Sequence, residues 1–245
     1  MNRLFTGAAM VGAISVLGCS GALAGTITGK IVFEGEVPAA LAKPIDTGAD
    51  PECAAHAAGN PVMNETLVLG EGQTIANILV KVTKGLPEKA WDVPAEPLTM
   101  TQEGCRYTPH VNVVRLGQTL YVKNPDGIFH NVNCAPKINK PQNRAMPKNM
   151  KILEFTFDQA EEAPFRFKCD VHPWMMAYCA VLTHPFYDVT EKDGVFAIEG
   201  LEPGEYEIEA WHERLGVQKA TVTVAADKPG EANFTFTKPA AKPAS

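Results

Sequence analysis

Histidine is scarce, basic charge is outnumbered, and long apolar runs are missing after the first residues. Lys and Arg number 22 against 28 Asp and Glu, a net charge of −6. An acidic surface of this kind disfavours nucleic acid and anionic lipid as partners. After residue 24 no stretch is long and apolar enough to span a bilayer. No Cys-x-x-Cys pair occurs, so the commonest zinc-binding spacing is missing. There is no Ser/His/Asp set, no paired-carboxylate motif and no amphipathic helix of convincing length. The six histidines include no His-x-His spacing. Together these absences argue against an enzyme.

What is present begins with a targeting segment. Arg3 gives a positive start, Leu4 to Leu17 a short apolar run, and Ala22-Leu23-Ala24 an A-x-A cleavage site. Cleavage after Ala24 makes residues 1–24 the leader. The alternative is a lipoprotein signal, Val16-Leu17-Gly18 before Cys19, with a lipid anchor on that cysteine. Either way the protein is exported, to the periplasm or beyond. Downstream stand Cys53, Cys105, Cys134, Cys169 and Cys179, an odd number. In an oxidising compartment an odd cysteine is reactive or a metal ligand.

The candidate for that role is Cys169, in Phe167-Lys168-Cys169-Asp170-Val171-His172-Pro173-Trp174-Met175. This is Cys-x2-His-x2-Met, and upstream stands His130-Asn131. A thiolate, two imidazoles and a thioether are the donor set of a mononuclear blue-copper electron-transfer site. Cys169, His172 and Met175 share one short loop. His130 comes from a strand that starts at Phe129-His130-Asn131-Val132. Met176 directly follows Met175 and is the alternative axial donor. Asn131 is expected to brace the ligands by hydrogen bonding, and Pro173 and Trp174 to cap them against water.

The other cysteines and histidines have plainer readings. Cys53-x2-His56 and Cys105-x4-His110 could hold a second metal, but a Cys53–Cys105 disulfide is favoured. Cys134 and Cys179 fall on strands at inward-facing positions. They form a second disulfide or are two small buried hydrophobes. His184 and His212 are read as structural. Lys137 to Lys151 carries five Lys/Arg and no acid. It is a solvated loop or a docking patch for an acidic partner.

Almost everything after Gly25 reads as strand. Thr26 to Phe33, Ile75 to Val82, Val111 to Val114, Thr119 to Lys123, Ile152 to Phe157, Pro164 to Cys169 and Tyr178 to Thr183 are β-branched, aromatic or alternating. Pro38 to Pro61, Pro87 to Pro97 and Pro136 to Lys151 read as loops. After Pro185, Val189 to Ala197 reads as a hairpin turning at Lys192-Asp193-Gly194. Strands Glu205 to Trp211, Gln218 to Val224 and Ala232 to Thr237 follow. Short strands between Gly/Pro turns mean antiparallel sandwiches or barrels.

Two resemblances follow from these residues. Leu98 to Thr183, with the strand-turn-strand Val111 to Asn124, His130-Asn131 and the Cys169/His172/Met175 loop, resembles the cupredoxins, Greek-key β-barrels like plastocyanin. Two residues between His and Met is the short loop of the amicyanins. Val189 to Val224, with Asp193-Gly194, Phe196 and Leu201-Glu202-Pro203-Gly204-Glu205-Tyr206, resembles the transthyretin-like sandwich called the carboxypeptidase regulatory-like domain. The opening strands of such a sandwich match Gly25 to Phe33 and Ala76 to Val82, far upstream. The resemblance implies an all-β chain in which a cupredoxin (98–185) is inserted into a sandwich (25–97 and 186–237), followed by a disordered tail (238–245). The whole is similar to exported bacterial plastocyanin-like proteins, some associated with methylamine utilisation. It implies one type 1 copper on His130, Cys169, His172 and Met175, and one-electron transfer with a redox partner such as a cytochrome or dehydrogenase. The alternative is an envelope copper-binding module for storage, delivery or sensing.

Overall fold

The computed structural model describes residues 24–225 and 228–238. Residues 1–23, where most of the expected leader and Cys19 fall, and residues 239–245 of the expected tail lie outside them. The strands are β1 (Gly25–Glu34), β2 (Leu79–Lys84), β3 (Leu98–Gln102), β4 (Tyr107–Thr108), β5 (Val111–Arg115), β6 (Leu120–Lys123), β7 (His130–Ala135), β8 (Gln142–Met146), β9 (Ile152–Phe155), β10 (Glu161–Lys168) and β11 (Met176–Leu182). Next come β12 (Tyr187–Val189), β13 (Val195–Leu201), β14 (Gly204–His212), β15 (Gly216–Val224), β16 (Gly230–Glu231) and β17 (Phe234–Thr237). A short helix, α1 (Pro51–Ala57), lies between β1 and β2. The fold is all-β, and among the described residues no helix is long and apolar enough to cross a membrane.

Strand pairing sorts these elements into two groups. In the first, β5-β11-β10-β7-β8 form one sheet and β4-β3-β6-β9 another. Alternation builds its core: Phe165 and Phe167 of β10 point in, as do Leu120 and Val122 of β6. These pack with Met100, Val132, Leu153 and Phe155. In the second group β1 pairs with β13, β16 and β17, and β12-β2-β14-β15 form the facing sheet. Ile31↔Phe234 and Phe33↔Phe236 register β1 against the far end of the chain. Strand 25–34 thus pairs with strands lying after residue 189. Gly29 faces the same way as Ile27 and Ile31. A Cβ there would sit 1.7 Å from the Ala232 carbonyl and 2.6 Å from the Phe196 ring, so only glycine admits both.

A third apolar patch joins the groups, with Leu79, Val111, Val113, Ala180 and Leu182 packed against Tyr187 and Trp211. Lys81 is buried there between Glu209 at 3.0 Å and Glu162 at 3.3 Å. A carboxylate from each group therefore neutralises it, which a buried ammonium requires.

Four expectations need correction. Val189 to Ala197 is not a hairpin: β12 pairs with β2 and β13 with β1, so the Asp193-Gly194 turn carries the chain from one sheet to the other. Pro38 to Pro61 contains α1, and Pro136 to Lys151 contains β8, paired along β7. Cys134 and Cys179 are free and buried, so they are two small buried hydrophobes and not the second disulfide. Cys134 registers with Phe167 and Cys179 with Phe165, on opposite sides of β10. Their strands are two spacings of about 4.8 Å apart, beyond the roughly 7 Å a disulfide can bridge.

His184 and His212 are buried and satisfied, as expected. His212 Nδ1 accepts from the Arg214 and Leu215 N–H groups at 3.2 and 3.1 Å. Burial, the largest influence, lowers its pKa from 6.5 to about 4. Acid must place a proton on Nδ1 and displace both amides. The folded pKa lies below the unfolded one, so this stability is complete above pH 6.5 and lost as pH falls toward 4. The loss should be on the order of 3 kcal/mol. Urea unfolding at pH 7 and pH 4.5 reads it. His212→Asn, which keeps an acceptor but cannot titrate, should flatten the difference; an equal slope in both proteins would show that His212 is not its source.

Candidate metal centre

The backbone around His130 is stitched before that histidine appears. Asn124 Nδ2 donates to the Ile128 carbonyl at 2.8 Å, and the Gly127 N–H donates back to Asn124 Oδ1 at 3.2 Å. This turn delivers His130 inward as the first residue of β7. The other candidates lie where β10 ends. The Cys169 N–H donates to the Met175 carbonyl at 3.1 Å, and the Met175 N–H to the His172 carbonyl at 2.9 Å. The closed loop turns Cys169, His172 and Met175 inward, each 1% exposed.

The donors converge. His130 Nδ1 and His172 Nδ1 are 2.9 Å apart, and Cys169 Sγ is 3.7 Å from His172 Nδ1. Ligand atoms of the three residues lie within 4.8 Å of one another. Met175 packs in the same buried core as Cys169, whereas Met176, the first residue of β11, is only half-buried.

Each imidazole is held from its far side. His172 Nε2 lies 3.0 Å from Asp50 Oδ2, and His130 Nε2 lies 3.4 Å from Asp126 Oδ2. Asp50 is also the N-cap of α1, accepting from the Glu52 and Cys53 N–H groups at 2.8 and 3.0 Å. Asp126 accepts from the Gly104 and Cys105 N–H groups at 2.7 and 2.8 Å. Positive φ at both, 63° and 53°, aims successive amides at one carboxylate. The Cys53–Cys105 disulfide links these two supports. It ties the helix whose cap holds His172 to the turn whose amides hold Asp126, and through it His130.

This arrangement decides what the centre can bind. A ring that gives its Nε2–H to a carboxylate presents a lone pair at Nδ1. Two such lone pairs at 2.9 Å, beside a sulfur, repel unless a cation stands among them. Burial works to raise the Cys169 pKa, but the adjacent His130 ring and hydrogen bonds from the Asn131, His172 and Val171 amides outweigh it and lower the pKa. The thiolate form is thereby favoured. Two imidazoles, a thiolate and a nearby thioether fit a copper ion better than a hard cation.

Asn131 sits where a brace is needed. Its N–H donates to Cys169 Sγ at 3.4 Å, and its Oδ1 accepts from the Asp170 N–H. Trp174 lies beside His172, ring centroids 5.2 Å apart, and its Nε1–H donates to the Cys105 carbonyl at 3.1 Å. Pro173 is exposed on the outside of the loop, so the cover over His172 comes from Trp174, Asp50 and the disulfide instead. The basic stretch is partly engaged: Lys148 pairs with Glu52 at 2.7 Å, and Arg144 donates to the Glu154 carbonyl. Sequence reasoning missed Asp50 and Asp126. Asp50-Pro51 is a helix-start signal and Asp126-Gly127 a turn signal, but neither says that its carboxylate faces a histidine.

No family model and no curated protein matches the chain. Among solved structures, a mutant amicyanin in its Cu(I) form aligns at 19% identity over 42% of this chain and 98% of its own, with a TM-score of 0.32. A purple cupredoxin from Nitrosopumilus maritimus aligns at 19% identity over 35% of this chain and 99% of its own, TM-score 0.30. A copper-containing nitrite reductase from Thermus scotoductus SA-01 aligns at 17% identity over 63% of this chain and 28% of its own, TM-score 0.31. These neighbours are cupredoxin-type proteins matched weakly and in part, a level of likeness that assigns no family.

Proposed function

We propose that this chain is an exported one-electron carrier with a single type 1 copper, held by Nδ1 of His130 and His172 and by Cys169 Sγ, with Met175 sulfur as the axial donor. The observation that supports it is the buried pair of facing Nδ1 lone pairs beside the Cys169 sulfur, each ring fixed from behind by a carboxylate. Copper would supply the one-electron couple. The residues hold the donors from both sides, so little has to move when charge changes, and burial excludes water and any substrate from the ligands. The partner on this reading is a redox protein such as a cytochrome or dehydrogenase. Residues 98–185 would be a cupredoxin unit inserted into a transthyretin-like sandwich made of 25–97 and 186–237, consistent with the pairing of β1 to β13, β16 and β17.

Purification with copper, followed by visible and electron-spin-resonance spectra, tests the reading. A carrier is intensely coloured when oxidised and shows a reversible potential. A protein that holds only Cu(I) and stays colourless would instead be a storage or delivery module. Met175→Leu should keep copper and colour but raise the potential, because losing an axial donor destabilises Cu(II). An unchanged potential would move the axial role to Met176.

A further inference from the structure

We propose that the cavity beside this centre is a second metal site, taking Cu(I) through His110 Nδ1 and methionine sulfur with Glu65 as a charged neighbour. The cavity has a volume of about 260 Å³. Trp174 and Met175 form the wall it shares with the Cys169 centre. His110, Met176, Met63 and Glu65 line the rest.

His110 supplies the reason. It is 6% exposed, and its Nε2 lies 2.7 Å from Glu213 Oε1. The other oxygen of Glu213 accepts from the Tyr178 hydroxyl at 2.8 Å. A carboxylate fixed in this way takes the Nε2–H and leaves Nδ1 as a lone pair, the arrangement that orients metal-binding histidines. That Nδ1 is buried and has no hydrogen-bond partner. Glu65 Oε2 stands 3.8 Å from it, too far for a hydrogen bond. A lone pair facing a carboxylate calls for a cation between them. A cation bonded to His110 Nδ1 would have the Glu65 carboxylate as its charged neighbour.

Two features select the ion. Met63 and Met176 offer thioether sulfur, which prefers Cu(I) to harder cations. Arg106 also lines the cavity and offsets the charge of Glu65. The near-neutral surroundings then suit a monovalent ion better than a divalent one.

The test is an anaerobic Cu(I) titration of the full chain against bicinchoninate, which strips weakly held, adventitious ions. The wild type should retain two Cu(I) per chain. Because His110 also anchors Glu213, replacing it risks the fold, so the deciding variant is Met63→Leu/Glu65→Gln. Met63 is 40% exposed, and its replacement leaves the core intact. This variant should retain one Cu(I) and still turn coloured on oxidation. His110→Asn, if folded by circular dichroism, should match it. Retention of one ion by the wild type, or of two by the double variant, overturns the second site. The carrier reading fails separately: a protein colourless on oxidation that loses one Cu(I) in the double variant would keep this site and discard that function.

Discussion

Cys169→Ser should leave the copper-loaded protein without visible colour. The absorption of a type 1 centre arises from charge transfer out of a thiolate, and a serine hydroxyl does not ionise to replace it. The adjacent His130 ring and hydrogen bonds from three backbone amides favour the Cys169 thiolate against the cost of burial. No other described free thiol is a substitute. Burial pushes Cys134 up to about 12 and raises Cys179 well above its ordinary value, so both stay protonated. Copper affinity should fall by more than the 10–100-fold typical of losing a supporting partner, since a ligand itself is gone. Visible and electron-spin-resonance spectra of the loaded variant decide it. Retained colour would mean that the thiolate comes from elsewhere and that the centre is wrongly assigned.

The candidate ligands were legible because their signal is local. Cys169, His172 and Met175 lie on one loop, so spacing fixes their order, and β10 before them alternates Phe165 and Phe167 against Arg166 and Lys168. The all-β fold was legible for the same reason, since period-two alternation needs no knowledge of partners. What stayed hidden depends on contacts across the chain. The Asp193-Gly194 turn looks the same whether its flanking strands pair with each other or with β1 and β2. β8 buries only Met146 and leaves a polar strand without apolar alternation. α1 buries only Cys53. Its helix is too short to persist alone and is held by a cap, Pro51 and a disulfide. Asp50 reaches His172 across 122 residues, and no local pattern carries that pairing. Cys134 and Cys179 show the limit of counting cysteines: both sit on inward strand faces, yet β10 between them keeps them unbonded.

Cys53→Ala/Cys105→Ala should weaken both the fold and the metal centre, and the two losses can be separated. The bridge closes 52 residues of sequence. By loop entropy it should stabilise the chain by about 4 kcal/mol, within the usual range of 2–5 kcal/mol. If it were only a staple, unfolding would come earlier and copper affinity would be unchanged. Its position makes it more than that. Cys53 lies in the helix capped by Asp50, and the Cys105 N–H donates to Asp126, so both carboxylates behind the histidines depend on this bridge. Loss of such supports typically costs 10–100-fold in metal affinity, and the double variant should fall at least that far. Asp50→Ala provides the comparison. It removes one histidine support and one helix cap, so affinity should fall about 10–100-fold while stability drops by only about 1 kcal/mol. Urea unfolding of the metal-free proteins and copper titration of each against a chelator give both quantities. If the cysteine variant is destabilised but binds copper as tightly as the wild type, the bridge staples the chain without positioning its ligands, and His130 and His172 are held by the loops alone.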